Sequence, residues 1–83
     1  MSIDDTIKNL EPETLVRIIF QEDVEVQRFD IIAGKSFYDV ISKGCEITET
    51  LFLLADGEKL LFMNRTTGNF FWLPKEGIII KKL

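Results

Sequence analysis

The segment Gly34-Lys35-Ser36 comes nearest to a motif that binds phosphate. A glycine turn followed by lysine and serine at a helix start can hold an anion with backbone N–H groups and the lysine ammonium. The first glycine of a complete P-loop would stand at position 29, which is Phe29. The sequence therefore favours a simpler role, in which Gly34 makes a turn and Ser36 caps a helix.

Other chemistry is limited by the residue types present. The chain has no His and a single Cys, Cys45. This composition excludes histidine acid–base chemistry and an internal disulfide, and it argues against a zinc site. Acids such as Glu46 and Glu49 fall at predicted strand ends, whereas paired catalytic carboxylates need a cleft. We therefore predict no enzyme activity, no cofactor and no metal, and we predict that Cys45 fills apolar space.

The most informative feature is a set of apolar runs in the second half of the chain. An antiparallel sheet with one face in water alternates apolar and polar residues. These runs do not alternate, so they predict strands that are apolar on both faces. The cover for the second face is either a hairpin around Val16–Ile32, giving a sandwich or small barrel, or a partner. The runs are Leu51–Leu54, Leu60–Met63, Phe70–Leu73 and Ile78–Ile80.

Aromatic residues in these runs suggest where a partner would bind. Trp, Phe and Met are enriched in the cores of protein interfaces. The leading prediction is a small non-enzymatic protein-interaction or regulatory module that uses an apolar sheet face or edge. Its partner is another protein or a second copy of itself, which would make it a homo-oligomer. The candidate anchors are Phe52, Phe62, Phe71 and Trp72.

Nucleic acid is the alternative partner. Phe70 and Trp72 could stack on bases while Arg65 and Lys75 contact phosphates, as small β-barrels do with single strands. The net charge of −4 and the isoelectric point of about 4.7 argue against this partner, because such proteins carry a basic surface. The acidic N-terminal part suggests a further alternative, an inhibitor that occupies a nucleic-acid-binding protein.

The elements in the first half are predicted from capping and periodicity. A helix over residues 3–10 follows from Ser2 as N-cap with Asp5 three residues on. Residues 12–21 fit a helix that starts at Pro12 or a strand over Thr14–Gln21, and the β-branched residues favour the strand. A second strand, Val24–Ile32, has a bulge near Gln27 and Arg28, because its apolar phase slips there.

Three turn signals and a helix signal organise the rest. Ser36–Lys43 is predicted as a helix with Gly44 after its end. From Glu46 onward the chain is predicted as a meander, with a type I′ turn at Asp56-Gly57. Its later parts are strand Lys59–Met63, turn Arg65–Gly68, strand Asn69–Leu73, turn Pro74–Gly77 and strand Ile78–Lys82.

Residues 1–83 are thus predicted as one α+β domain. It is a small antiparallel β-meander of four to six strands (sheet, sandwich or small barrel) with one or two short helices. No apolar run approaches the roughly 20 residues that span a bilayer. The acidic start of the chain does not resemble a signal peptide. We therefore predict a cytoplasmic protein without membrane contact.

Overall fold

The fold is built mainly from antiparallel β-strands. The computed structural model describes the backbone of residues 3–83 and the side chains from residue 6 onward. One short helix precedes seven strands, so the class is α+β with few helices. The elements are α1 (Ile3–Lys8), β1 (Thr14–Phe20), β2 (Val24–Asp30), β3 (Lys35–Ile41), β4 (Glu46–Asp56), β5 (Lys59–Asn64), β6 (Phe70–Pro74) and β7 (Ile78–Lys82).

All seven strands form one open sheet. Their order is β3-β2-β6-β5-β4-β1-β7, and the neighbours pair antiparallel. β3 and β7 are therefore the two edges. β4, β5 and β6 form a meander in the middle of the sheet, as the sequence predicts. The last strand predicted for that meander, β7, pairs with β1 instead, and the sheet has seven strands where the sequence predicts four to six.

Short connections force this sheet to curl. In a flat sheet, β1 and β2 would lie four strand spacings apart, or about 19 Å. The chain from Phe20 to Val24 reaches at most about 14 Å. Backbone hydrogen bonds hold the loops together at this end, including Gly44 N to Phe20 O at 2.8 Å. The sheet therefore curls so that its buried face lies on the inside, while the two edge strands do not pair with each other.

The core lies on the inner face of the curled sheet. Alternate residues of the strands point inward, so that facing strands bury each other's side chains. Across the centre, Phe62 packs edge-on against Phe52 and stacks on Phe71, with centroid distances of 5.8 and 5.4 Å. The core residues are Leu10, Val16, Ile18, Phe20, Val24, Val26, Phe52, Leu60, Phe62, Phe71, Leu73, Ile78 and Ile80.

The segment predicted as a second helix is a strand. Residues 35–41 pair with β2 over seven consecutive positions, from Lys35 opposite Asp30 to Ile41 opposite Val24. Two factors favour the strand, namely the aromatic and β-branched residues of the segment and the tight turn before it. In that turn Gly34 has a φ of 66°, and the Asp30 carboxylate accepts hydrogen bonds from the two preceding backbone N–H groups.

Two further predictions for the first half are wrong. β1 and β2 do not form a hairpin that covers the sheet, because both are strands within it and three other strands separate them. No bulge interrupts β2, whose seven pairs with β3 are regular. The apolar residues of β2 change from even to odd positions because Val24 and Val26 point to the inner face and Phe29 points to the outer face. The bulges lie instead on β4, beside Val16–Ile18 and at Leu53.

Other predictions are confirmed. The first helix is present, with Ile7 packed against the core, although the cap assigned to Ser2 lies outside the described residues. Residues 14–20 form the strand that the sequence favours. The type I′ turn predicted at Asp56-Gly57 is wrong, because the turn that follows Asp56 differs from it in position and in type. Gly57 and Glu58 are its central residues, and Gly57 alone has a positive φ, as in a type II′ turn.

Helices long and apolar enough to cross a membrane are absent from residues 3–83.

Candidate functional site

Three of the four predicted anchors lie in the core. Phe52, Phe62 and Phe71 are 4%, 0% and 6% exposed. They stand directly opposite one another on β4, β5 and β6, where the inner face is most enclosed. These three side chains therefore stabilise the fold and offer no surface to a partner. Only Trp72 points the other way.

The outer face of the sheet is the surface that Trp72 shares. Opposite residues of paired strands point to the same face, so the register identifies its members. Trp72 stands between Gln27 and Leu61, and Phe70 stands between Phe29 and Met63. The helix packs on the inner side, so none of the described elements lies over these side chains.

A groove is sunk into this face. Its volume is about 360 Å³, and its walls come from four neighbouring strands. The polar side chains in it, those of Gln27 and Ser36, carry no charge. We call it the aromatic groove, and it is lined by Gln27, Phe29, Ser36, Leu61, Phe70 and Trp72.

A second depression lies on the other side of Trp72. Its volume is about 210 Å³, and Trp72 and Gln27 line both hollows. Here charged groups appear, because Glu25 and Lys59 stand at its rim with Tyr38. Trp72 is therefore a ridge between an uncharged groove and a more polar hollow.

Several exposed apolar residues of this surface were missed from the sequence. Phe29 is 42% exposed, Tyr38 65%, Val40 66% and Leu54 45%. The sequence predicts Tyr38 and Val40 on a helix and therefore does not indicate their position beside β2. The signal in the sequence is the change of the apolar residues from even to odd positions at Phe29. It places an aromatic residue on the outer face, where Phe70 stands directly opposite.

The residues of the nucleic-acid alternative are only partly brought together. Phe70 and Trp72 lie side by side in the aromatic groove. Arg65 and Lys75 belong to the turns at opposite ends of β6, separated by about 20 Å along the strand direction. The Arg65 guanidinium also lies 3.9 Å from the Glu49 carboxylate, which offsets its charge.

The remaining chemical candidates form no site. Lys35 begins a strand and not a helix, so Gly34-Lys35-Ser36 has no helix N-terminus to offer an anion. Cys45 is exposed and does not fill apolar space, since it lies in the loop that leads to β4. Over residues 3–83, no group of three or more acidic, His or Cys side chains is placed to bind a metal ion.

Comparison of the chain with protein-family models, with curated proteins and with solved structures finds no match.

Proposed function

We propose that the protein is a small, non-enzymatic, cytoplasmic interaction module that binds a partner protein through the outer face around the aromatic groove. The observation that carries this proposal is a continuous apolar surface that none of the described elements covers. It runs from the exposed Phe29 and Tyr38 through Trp72 to Leu54. Apolar patches of this kind on small domains mark interaction sites.

The groove favours one kind of occupant. It is lined by four apolar side chains and two uncharged polar ones, so a charged ligand would find no counter-charge there. Its volume of about 360 Å³ is near the lower end of the usual range for ligand pockets, about 300–1,000 Å³. The fitting occupant is a protein segment that inserts apolar side chains beside Trp72.

A capture experiment with a matched control tests this proposal. The wild-type chain, Trp72→Glu and Ser42→Glu are immobilised and exposed to extract of the cells that produce the protein. Both variants add one negative charge, but Ser42 lies in the exposed β3–β4 loop outside the groove. We expect Trp72→Glu to weaken partner retention at least tenfold, because a tryptophan at an interface centre is a typical hot spot.

The captured protein is then purified and titrated into the wild-type chain. Trp72 is the only tryptophan, so its fluorescence reports on the outer face around this residue. Binding is expected to shift its emission to shorter wavelength, because the indole loses water contact. A partner that binds wild type and Trp72→Glu equally would remove this proposal.

A second candidate rests on the neighbouring aromatic rings. Phe70 and Trp72 lie on one exposed face, with Arg65 and Lys75 beyond the two ends of their strand. A single-stranded oligonucleotide stacked there would quench Trp72 fluorescence, and rising salt would weaken the binding steeply. Absence of quenching at low salt would exclude this candidate.

A further inference from the structure

The two edges of the sheet differ in their protection. β7 is short, contacts α1 and ends in Lys81 and Lys82, and such charges block pairing with another strand. β3 pairs only with β2 among the described elements, and six of its seven residues are exposed. A strand of this length at an edge leaves a row of backbone N–H and C=O groups open to a further strand.

The side chains of β3 are self-complementary. Lys35 and Asp39 carry opposite charges at i and i+4 and point to the same face, with Phe37 midway between them. When such a strand pairs antiparallel with its own copy about Phe37, each lysine stands opposite an aspartate. Charge pairs placed directly opposite on neighbouring strands are stabilising.

We propose that two copies of the chain pair β3 to β3, antiparallel, on a twofold axis that passes through Phe37. A twofold axis perpendicular to the sheet keeps both inner faces on one side. Odd-numbered residues of one copy then stand opposite odd-numbered residues of the other, and even-numbered residues stand opposite even-numbered ones. The two seven-stranded sheets would become one continuous sheet. This inference goes beyond the proposed function, because it uses the β3 edge and names a second copy of the chain as a further partner.

The neighbouring registers match less well. Centring the pair on Tyr38 sets Lys35 opposite Ile41 and Phe37 opposite Asp39, so neither charge finds its counterpart. Centring it on Asp39 places two carboxylates together, and like charges directly opposite are destabilising. Of these three registers, only the one centred on Phe37 places Lys35 and Asp39 opposite residues of opposite charge.

Contacts within the chain prepare this arrangement. Arg28 lies 5.8 Å from the centroid of the Phe37 ring, and its Nη2 atom lies 2.7 Å from Asp39 Oδ2. In the dimer, Asp39 would stand between Arg28 of its own chain and Lys35 of the partner subunit. On the outer face, Tyr38 of the partner subunit would stand opposite Ser36, which lines the aromatic groove. Pairing would therefore extend the groove across the axis.

Cysteine cross-linking tests the register. In a Cys45→Ser background, Phe37→Cys places two thiols opposite each other across the axis. The Cα atoms of directly opposite residues lie about 4.5–5.5 Å apart, which permits a disulfide. Tyr38→Cys is the matched control. It is more exposed (65% against 40%) and would cross-link faster by random collision, but in this register its copies lie about 8 Å or more apart.

We expect Phe37→Cys to form a covalent dimer under mild oxidation and Tyr38→Cys to remain largely monomeric. Equal or faster cross-linking of Tyr38→Cys would overturn the register. Because both residues are exposed on an edge strand, we expect both variants to keep the fold, and circular dichroism checks this.

A charge exchange tests the pairing without cysteines, using sedimentation equilibrium over a range of concentrations. The paired segment is short, so we expect the wild type to dimerise reversibly with concentration. Lys35→Asp should weaken dimerisation about tenfold, since it replaces two attractive pairs with two repulsive ones. Adding Asp39→Lys to it should restore part of the loss, because the pairs between the chains are re-formed with reversed sign. The rescue is incomplete because the new lysine stands beside Arg28 of its own chain, with which Asp39 forms an ion pair.

The outcomes separate this inference from the proposed function. A wild type that stays monomeric up to millimolar concentration, or an exchange variant no better than Lys35→Asp alone, would overturn β3 pairing. Neither result bears on the Trp72-dependent capture of a partner protein. Conversely, a dimer that forms equally well in Trp72→Glu would support β3 pairing even if that capture failed.

Discussion

Phe62 shows how a single aromatic residue holds this small core together. It is fully buried on the central strand β5 and packs against rings on both neighbouring strands. Trp72 is larger, yet it lies on the outer face and remains partly exposed. Phe62 therefore stabilises the fold, whereas Trp72 belongs to the surface that we propose as the binding site.

This difference predicts opposite mutational effects. Phe62→Ala should lower the free energy of unfolding by about 3–5 kcal/mol, because it leaves a cavity in a packed core. Trp72→Ala should cost less than half of that, since its side chain is already in contact with water. Chemical denaturation of both variants measures the two values. A larger loss for Trp72→Ala would contradict the assignment of the faces.

Glu13 holds a backbone conformation that suits glycine. Its φ is 66°, it follows Pro12, and Thr14 N donates a hydrogen bond to Glu11 O across the turn. These features are typical of a type II turn, whose third residue is usually glycine.

We expect Glu13→Gly to stabilise the protein by about 0.5–1 kcal/mol, after the added freedom of the unfolded chain is subtracted. Thermal unfolding should show a midpoint a few degrees higher. Glu11→Gly, at a position without positive φ, should lower the midpoint. An unchanged or lower midpoint for Glu13→Gly would show that the conformation carries no strain.

At the scale of elements, the turn between β6 and β7 secures the curled end of the sheet. Gly77 has a φ of 82°, and its carbonyl accepts a hydrogen bond from Gln21 N in the β1–β2 loop at 2.8 Å. A Cβ atom added at Gly77 would lie 2.5 Å from Glu22 Cγ. The two loops therefore approach closely because residue 77 has no side chain.

Gly77→Ala should cost about 1–2 kcal/mol for its backbone conformation, with a further cost from crowding against Glu22. In a Glu22→Ala background the cost should fall by about 0.5–1.5 kcal/mol, because no side chain then has to leave its preferred rotamer. Gly44→Ala is the matched control, since its φ is also positive but its Cβ would meet nothing. Equal costs of Gly77→Ala in both backgrounds would contradict the crowding.

The sequence predicts a helix or a strand well where the signal is local. It predicts poorly where pairing with another strand determines the structure of the segment. The four strands between Glu46 and Lys82 follow from their turns and apolar runs, and the structure confirms them as strands. Their predicted arrangement as one meander holds only for the first three, because β7 pairs with β1 and not with β6. Residues 36–43 carry helix-capping signals and a helical apolar spacing. They form a strand because β2 offers a full set of partners, and no local pattern reveals that. An edge strand exposed on both faces also lacks the alternation that would identify it.

At the scale of the whole molecule, the two-faced apolar pattern is the feature that leads to the proposed site. It correctly indicates that the sheet has apolar residues on both sides, and the curl of the sheet covers one of them. It does not indicate which face each aromatic residue takes, because adjacent residues such as Phe71 and Trp72 are both apolar. Only the register, with Phe71 opposite Phe62 and Trp72 opposite Leu61, shows that Phe71 belongs to the core and Trp72 to the outer face.

Hydroxyl-radical footprinting of the outer face tests the central claim most directly. The chain is modified alone and in complex with the protein retained by the wild type. We predict that Trp72 and Met63, which lie on the outer face, are several-fold less modified in the complex. Ile32, which is 97% exposed in the β2–β3 turn, should be modified equally in both samples. Equal modification of Trp72 and Met63 in the free and bound chain would contradict the account.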